Sequence, residues 1–234
     1  MVIRQRAIAA EDKHERFHAM LDAAERLLAR APDRIANVAE VADEAGLAKG
    51  TVYLYFDSKD ALLLALHERH LDEFFRAMGA VLDARDPVTI DRLVGLVRTH
   101  IVARDTFLPL ATRCFGLLGT EVPREVAAAF RARMAERLDS AGALLDRRFP
   151  RLSPGADVAL LRHSYALIVG LWQMSAASPP AVEPDATCGI RPGDYPDELS
   201  RALHNLWQGA LGTPPSAPNA VGAPPAAPNA ARAP

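Results

Sequence analysis

Polar side chains that can contact phosphates and base edges are concentrated in one short stretch, AGLAKGTVYLYFDSK (45–59). The ammonium group of Lys49 can donate to the acceptors of guanine, and Lys59 can pair with a phosphate. The hydroxyl groups of Thr51, Tyr53 and Tyr55 can donate to phosphate oxygens without adding charge. These residue types predict a surface that contacts nucleic acid, and the alternative is an aromatic patch packed inside a helical bundle.

The segment from Asn37 to Phe56 has the layout of a helix-turn-helix that would support these side chains. Asn37 and Glu40 form an N-x-x-E capping pair at the start of a short helix. Gly46 supplies the positive φ of the tight turn, and Ala42 is small enough for two helices to cross closely. The spacing predicts a buried seam made of Val38, Val41, Leu47, Val52 and Phe56.

The second helix of this motif would turn its other side outward, and the N-terminal end of such a helix enters the major groove. Gly50 permits close backbone approach, and Leu54 can contact a thymine methyl group. Lys59 stands at the start of the next helix, where exposed amides add to the attraction for phosphate. The predicted outward set is Lys49, Gly50, Thr51, Tyr53, Leu54 and Tyr55.

Helical periodicity extends through most of the remaining chain, and no segment alternates with period two. Ser58 is a predicted helix cap, and Pro87, Pro123 and Pro154 stand where a first helical turn tolerates proline. The chain is therefore expected to be all-α. The predicted helices span about 11–30, 38–45, 58–82, 87–103, 106–118, 123–148, 154–177 and 196–211.

Three regions are predicted along the chain. Residues 1–57 would form a DNA-binding domain with an N-terminal arm, and 58–211 a helical domain for ligand binding and dimerisation. Residues 212–234 are rich in proline and alanine and have no apolar face to bury, so a disordered tail is expected.

The stretch VAEVADEAGLAKGTVYLYFDSKDALLLAL resembles the DNA-binding signature of TetR-type transcriptional regulators, and the resemblance is close over about residues 12–65. It implies a three-helix DNA-binding head with a helix-turn-helix, a helical-bundle body that binds a ligand, and a homodimer made by the last two helices. Asn37 stands where a threonine often caps the second helix and touches phosphate, which adds Asn37 to the candidate contacts. Ala48 stands where serine is common, and Ala39 where some relatives carry a base-reading arginine. The matching residues are Val41, Ala42, Ala45, Gly46, Lys49, Gly50, Thr51, Tyr53, Tyr55, Phe56, Ser58, Lys59 and Leu62.

A cavity between the helices of the body is the expected ligand site. Its candidate residues mix apolar and polar side chains, and few polar groups converge, so a largely apolar ligand is expected. The alternative for each residue is ordinary core packing or a solvated edge. The candidates are Phe74, Met78, His100, Arg104, Phe107, Cys114, Phe115, His163, Tyr165 and Trp172.

The last two predicted helices carry apolar stripes wider than one bundle face needs, which predicts a four-helix interface across a two-fold axis. The alternative is packing within one chain. The candidate interface residues are Leu160, Leu167, Leu171, Leu199, Leu203, Leu206 and Trp207.

Charge is unfavourable to strong non-specific DNA binding. The net charge is −2, and residues 1–76 carry 11 lysines and arginines against 14 acidic residues, a balance of −3. Attraction to phosphate is therefore expected only locally, from Lys49, Lys59, Arg34 and the arm with Arg4 and Arg6.

Other kinds of site are not expected. The pairs His14–His18 and His67–His70 are one helical turn apart, but no third ligand is in register, so no metal and no cofactor are predicted. Known catalytic motifs are absent from the sequence. Two cysteines suit a reducing cytosol, and the apolar stretch YALIVGLWQM is shorter than the roughly 20 residues that span a membrane, so a cytoplasmic protein without membrane contact is expected.

These observations predict a ligand-responsive transcriptional regulator that is not an enzyme. It would be a homodimeric repressor, released from its double-stranded DNA operator by a small apolar effector. The alternatives are a helical enzyme, or a binding module whose helix-turn-helix no longer binds DNA.

Overall fold

A computed structural model describes residues 2–32, 34–120, 122–153, 155–176 and 190–212. Every regular element within these ranges is an α-helix, a π-helical turn or a 3₁₀ turn, which confirms the predicted all-α fold class. The head contains α1 (Val2–Arg30), α2 (Val38–Glu44) and α3 (Lys49–Tyr53). The body contains α4 (Lys59–Asp83), α5 (Ile90–Val97), α6 (Phe107–Thr120), α7 (Arg124–Arg148), α8 (Ala156–Ala176) and α9 (Tyr195–Gly212).

Two short elements complete the body. A π-helical turn, Arg98–Val102, continues α5, and a 3₁₀ turn, Pro192–Asp194, leads into α9. Helix α4 connects the head to the body, because it packs against α1 in the head and against α6 and α7 in the body. Helices α8 and α9 pack on each other over much of their length.

Several predicted helix boundaries require correction. Helix α1 begins at Val2, so the backbone of the predicted N-terminal arm is helical, while the side chains of Arg4 and Arg6 lie outside the described residues. Helix α5 begins at Ile90 rather than Pro87, because the Thr89 hydroxyl accepts a hydrogen bond from the Arg92 amide at 3.2 Å and caps the helix there. The predicted tail, from 213 onward, also lies outside the described residues.

Other starts agree with the sequence. The Ser58 hydroxyl accepts a hydrogen bond from the Ala61 amide at 3.1 Å, which confirms Ser58 as the cap of α4. Pro123 immediately precedes α7, and α8 begins two residues after Pro154, itself outside the described residues. No helix within the described ranges combines the length and apolarity needed to cross a membrane.

Candidate DNA-binding surface and ligand cavity

The start of α2 is fixed by two reciprocal sets of hydrogen bonds. The Asn37 side-chain oxygen accepts from the amides of Ala39 and Glu40 at 2.9 and 3.0 Å, and the Glu40 carboxylate accepts from the Asn37 amide at 2.8 Å. These contacts confirm the predicted capping pair. Because the amide oxygen of Asn37 is turned toward the helix, its exposed NH₂ group is left to donate outward.

The turn between α2 and α3 forms as the sequence predicts. Gly46 has φ +67°, the left-handed region that glycine adopts without strain. The Leu47 amide then donates to the Ala42 carbonyl at 2.9 Å and closes the turn. Val52 and Phe56 are buried, and the Phe56 ring lies 5.2 Å from that of Phe17 on α1.

The outward surface of the motif is exposed, and we call it the recognition face; it comprises Lys49, Gly50, Thr51, Tyr53, Leu54 and Tyr55. Tyr53 is 47% exposed and Leu54 is 83% exposed, although both are large and partly apolar. Thr51 and Tyr55 are half-buried. Helix α3 ends at Tyr53, so Leu54 and Tyr55 lie in the turn after it rather than in a longer helix.

Ion pairs neutralise most of the arginines near this face. Arg34 holds the Glu40 carboxylate with two hydrogen bonds at 2.7 and 3.1 Å, which lowers the pKa of Glu40. Arg26 and Arg30 both pair with Glu44. Lys49 and Lys59 are exposed and form no ion pair within the described residues. Their charges are therefore available to a phosphate, whereas the predicted contribution of Arg34 competes with Glu40.

A cavity of about 410 Å³ lies between the helices of the body. It is bounded by side chains from α4, α5, the π-helical turn, α6, α7, α8 and α9. Nearly all of these side chains are apolar, and they include Leu71, Phe75, Val94, Ile101, Phe130 and Met134. The cavity falls within the size range of small-molecule sites in proteins.

The buried polar groups of the cavity wall are uncharged. His67 Nε2 lies 3.1 Å from the Tyr165 hydroxyl, and burial lowers the pKa of His67 to about 3. Burial also raises the pKa of the Cys114 thiol to about 12. The Trp207 indole donates to the Ser164 hydroxyl at 3.1 Å. Such a wall favours an uncharged, apolar guest, because an ion would lose its hydration without gaining a partner.

Arg162 is the one charged side chain among the described residues of this wall, and it is exposed to solvent. A guest with an anionic end would therefore find a cation only at the rim of the cavity.

The cavity wall contains some of the residues predicted for it and excludes others. Phe74, Met78, Cys114 and Tyr165 line it. Three others do not: Phe107 is buried against His67 and His70, Trp172 packs against Tyr195, and His100 is half-buried in the π-helical turn. The side chain of Phe115 lies outside the described residues. The two further candidates also lie elsewhere, since Arg104 pairs with Glu73 and His163 is exposed.

Sequence reasoning missed His67 and Leu71 as cavity residues, although the signal is present. His67, Leu71, Phe74 and Met78 recur at intervals of four, three and four residues along α4, so one helical face points into the cavity. The spacing of His67 and His70 indicates a possible metal-binding pair instead, so it does not identify this helix face as part of a cavity wall.

The predicted dimer interface needs a larger correction. Leu160, Leu199, Leu203 and Trp207 are buried within the chain, and Leu203 and Trp207 line the cavity. The reason is that α8 and α9 turn their apolar stripes toward each other and toward the cavity. The remaining candidates, Leu167, Leu171 and Leu206, are only half-buried.

Comparisons with known proteins agree with this arrangement. Residues 20–66 match the family described as "Bacterial regulatory proteins, tetR family". Residues 68–214 match the family described as "Tetracyclin repressor-like, C-terminal domain".

Among individual proteins, the chain is 29% identical over 106 residues to the "Fatty acid metabolism regulator protein" of Bacillus subtilis (strain 168). That match covers 44% of this chain and 54% of the relative, so the chain spans about half the length of the curated relative.

Two solved structures show the same fold. One, described as a TetR-family transcriptional regulator from Mesorhizobium loti, has a TM-score of 0.57 at 17% identity, covering 85% of this chain and 96% of the other. The second is the fatty acid degradation regulator FadR from Bacillus halodurans, with a TM-score of 0.51 at 20% identity, covering 83% and 94%.

Proposed function

The chain belongs to the TetR family of bacterial regulatory proteins, and we propose that it is a homodimeric transcriptional repressor, not an enzyme. It binds an operator in double-stranded DNA and leaves it when a small apolar molecule enters the body. It acts in the cytoplasm, where bacterial DNA is found.

The observation that carries this proposal is the recognition face. Burying Leu54 and Tyr53 would be favourable, yet the fold exposes both beside Lys49. Val52 and Phe56 meanwhile anchor the same segment rigidly to the head. A rigid, exposed set of one lysine, one tyrosine and one leucine suits a major groove, where lysine binds guanine and an apolar side chain contacts thymine.

Asn37 and Lys59 extend this surface on both sides. Each is exposed and stands at the start of a helix, α2 for Asn37 and α4 for Lys59. The Asn37 amide group and the Lys59 ammonium group would hold the phosphates that flank the groove, which sets the register of the head on the duplex.

The cavity supports an effector with a long apolar body. Its wall is almost wholly apolar, and its buried polar side chains form two pairs, His67 with Tyr165 and Trp207 with Ser164. Relatives of this chain include a protein named as a fatty acid metabolism regulator. An acyl chain is therefore the effector chemistry we propose, with any anionic headgroup placed at the rim near Arg162.

The dimer would use the outer faces of α8 and α9, on which Leu167, Leu171 and Leu206 remain half-exposed. A two-fold arrangement is required because two recognition helices must reach successive major grooves, about 34–36 Å apart.

A release assay tests the proposal. A duplex is first selected from random DNA by the protein, and its affinity is then measured with dodecanoyl-CoA, dodecanoate or dodecan-1-ol. We expect at least one of these C12 probes to weaken DNA binding by about 5- to 150-fold, the usual range of coupling between two sites. Butanoyl-CoA is the matched control, because it keeps the headgroup but cannot fill the cavity.

Occupancy of the cavity is followed by tryptophan fluorescence in a Trp172→Phe variant, whose one remaining tryptophan, Trp207, lines the wall. If the protein selects no duplex, the proposed function is wrong. If it binds DNA but all C12 probes leave both DNA affinity and Trp207 fluorescence unchanged, the acyl-chain assignment is wrong.

A further inference from the structure

One carboxylate of the head is held by side chains from two parts of the body. Glu25 on α1 accepts hydrogen bonds from Arg69 at 2.5 Å, from His70 Nε2 at 3.0 Å and from the Thr106 hydroxyl at 3.3 Å. The Arg104 Nε atom lies 3.8 Å from it. Arg69 and His70 belong to α4, whereas Arg104 and Thr106 belong to the connection between the π-helical turn and α6.

The neighbouring residues of α1 hold the helix-turn-helix in turn. Arg26 donates to the side chain and to the carbonyl of Glu44 at the end of α2, and Arg30 pairs with the same carboxylate. Within about two turns, α1 is therefore tied to the body through Glu25 and through Asp22, which pairs with the same Arg69 at 2.5 Å, and to α2 through Arg26 and Arg30. A shift of α1 relative to α4 has to carry α2 and α3 with it.

The partners of Glu25 are connected to the cavity through neighbouring residues. His67 lines the cavity one turn before His70, and the fully buried ring of Phe107 touches both imidazoles, with ring centres 5.3 and 5.9 Å apart. On the second path, Ile101 of the π-helical turn lines the cavity three residues before Arg104. Both paths from the cavity end at Glu25.

Such a connection can transmit a change because packed interiors switch between discrete arrangements rather than deforming smoothly. Phe107 has no exposed surface and contacts both imidazole rings, so a displacement of His67 would be felt by the ring and, through it, by His70. Short π-helical segments inside α-helices often occur at functional sites, which fits the position of Arg98–Val102 between the cavity and Arg104.

We propose that Glu25 is a latch through which occupancy of the cavity sets the position of the DNA-binding head. The inference rests on the proposed function. When the cavity is empty, His70, Arg69 and Thr106 keep their hydrogen bonds to Glu25. A filled cavity displaces Phe107 and Arg104 and weakens these hydrogen bonds. Helix α1 then shifts, and the recognition face leaves its groove. Glu25 is a positioning residue, since it touches neither the DNA nor the effector.

The test uses the reciprocity of coupling, by which DNA binding must alter the cavity if the cavity alters DNA binding. Hydrogen exchange is measured on the full-length protein with and without the selected duplex, at saturating DNA. The readout is the DNA-induced change in peptides that cover residues 62–78 and 98–114. No effector has to be known.

Two substitutions break the latch, and each has a matched control. Glu25→Gln keeps the side-chain shape but removes the charge, and its control is Glu198→Gln, a second arginine-paired carboxylate, which lies in α9 and belongs to neither path. Phe107→Leu removes the ring between the two histidines, and its control is Phe149→Leu, a ring of the body that packs on Trp207 from outside the cavity wall. Circular dichroism verifies that each variant is folded, and Phe107→Leu decides the result if Glu25→Gln does not fold.

We expect Glu25→Gln and Phe107→Leu still to bind the duplex, with the DNA-induced change in exchange at 98–114 reduced several-fold or abolished. Both controls should retain the change. The latch is wrong if Glu25→Gln and Phe107→Leu transmit the change as the wild type does, or if Glu198→Gln abolishes it equally. If the wild-type protein selects no duplex, the proposed function itself is wrong, and this outcome is distinct from a failure of the latch.

Discussion

His67 on α4 and Tyr165 on α8 face each other across 3.1 Å at the cavity wall, with the hydroxyl of one against the ring nitrogen of the other. Removing the hydroxyl in Tyr165→Phe leaves a buried nitrogen without this partner, and we expect a loss of about 1 to 2 kcal/mol in the free energy of unfolding. Urea denaturation measures the loss.

Tyr195→Phe is the matched control, because the Tyr195 hydroxyl donates to the Ile168 carbonyl at 2.9 Å but does not line the cavity. A similar loss of stability is expected there, with no change in the affinity for the C12 probes. Tyr165→Phe should change that affinity several-fold. Equal probe affinities in the two variants would mean that Tyr165 is not part of the ligand site.

The two roles of Asn37 can be separated by substitution. Asn37→Ala removes the cap of α2, which should cost about 1 kcal/mol of stability and also weaken DNA binding. Asn37→Asp keeps the cap, because a carboxylate accepts the same two amides at a helix N-terminus, but it places a negative charge beside the phosphates. We therefore expect normal stability and weaker DNA binding. If Asn37→Asp binds DNA as tightly as the wild type, Asn37 does not contact phosphate.

Two glycines of the recognition segment should respond in opposite ways to alanine. Gly46 has φ +67° and a Cβ there would touch nothing within 4 Å, so Gly46→Ala should cost about 1 to 2 kcal/mol from backbone strain alone. Gly50 lies in α3 with equally open space and no positive φ. Gly50→Ala should leave stability unchanged or raise it by up to about 1 kcal/mol, since alanine favours a helix.

DNA affinity completes this comparison. A methyl group at position 50 stands between the backbone and the groove, so Gly50→Ala should weaken DNA binding in a stable protein. Thermal denaturation and fluorescence anisotropy measure the two quantities. A Gly50→Ala variant with unchanged affinity would mean that the backbone at position 50 does not approach the DNA.

The charge of Glu25 predicts a pH dependence of stability. The hydrogen bond from His70 and the neighbouring arginines lower the pKa of Glu25 from its ordinary 4.5 to about 2. Because the folded-state pKa is depressed, the stabilisation is complete from about one pH unit above the unfolded pKa of 4.5 and is lost as the pH falls toward 2. The shift corresponds to a contribution on the order of 2 to 3 kcal/mol.

The measurement is the difference in free energy of unfolding between the wild type and Glu25→Gln. It should be constant above about pH 5.5, one unit over the unfolded pKa, and shrink between 4.5 and 2. A difference that does not change with pH over this interval would contradict the ionised state of Glu25.

Local chemistry made the head predictable from sequence. The capping pair Asn37–Glu40 and the glycine of the turn at Gly46 depend on neighbours within a few residues, so residue type and spacing suffice to identify them. The burial of Val52 and Phe56 follows in the same way, from helical periodicity.

The body was predictable only in part. Periodicity shows that Leu203 and Trp207 lie on an apolar face, but it does not show what covers that face. Within the described chain, α8 and α5 pack against α9, and Leu203 and Trp207 border the cavity. Phe107 was predicted to line the cavity but is buried beside it, because a buried aromatic residue next to a cavity cannot be told from one that lines it by sequence. The Glu25 latch joins residues 81 positions apart, and such pairings depend on tertiary packing.

The central claim is that the recognition face, together with Lys59, binds DNA. It is tested most directly by the salt dependence of binding to the selected duplex, for the wild type and for Lys49→Ala/Lys59→Ala. Arg76→Ala, which removes an exposed cation from the body part of α4, is the control.

For the wild type, the logarithm of the affinity should fall linearly with the logarithm of the KCl concentration. The double variant should bind more weakly, with a slope smaller by about 0.9 for each phosphate that a lysine no longer neutralises. A double variant with the affinity and slope of the wild type, or an equal weakening in Arg76→Ala, would contradict the account.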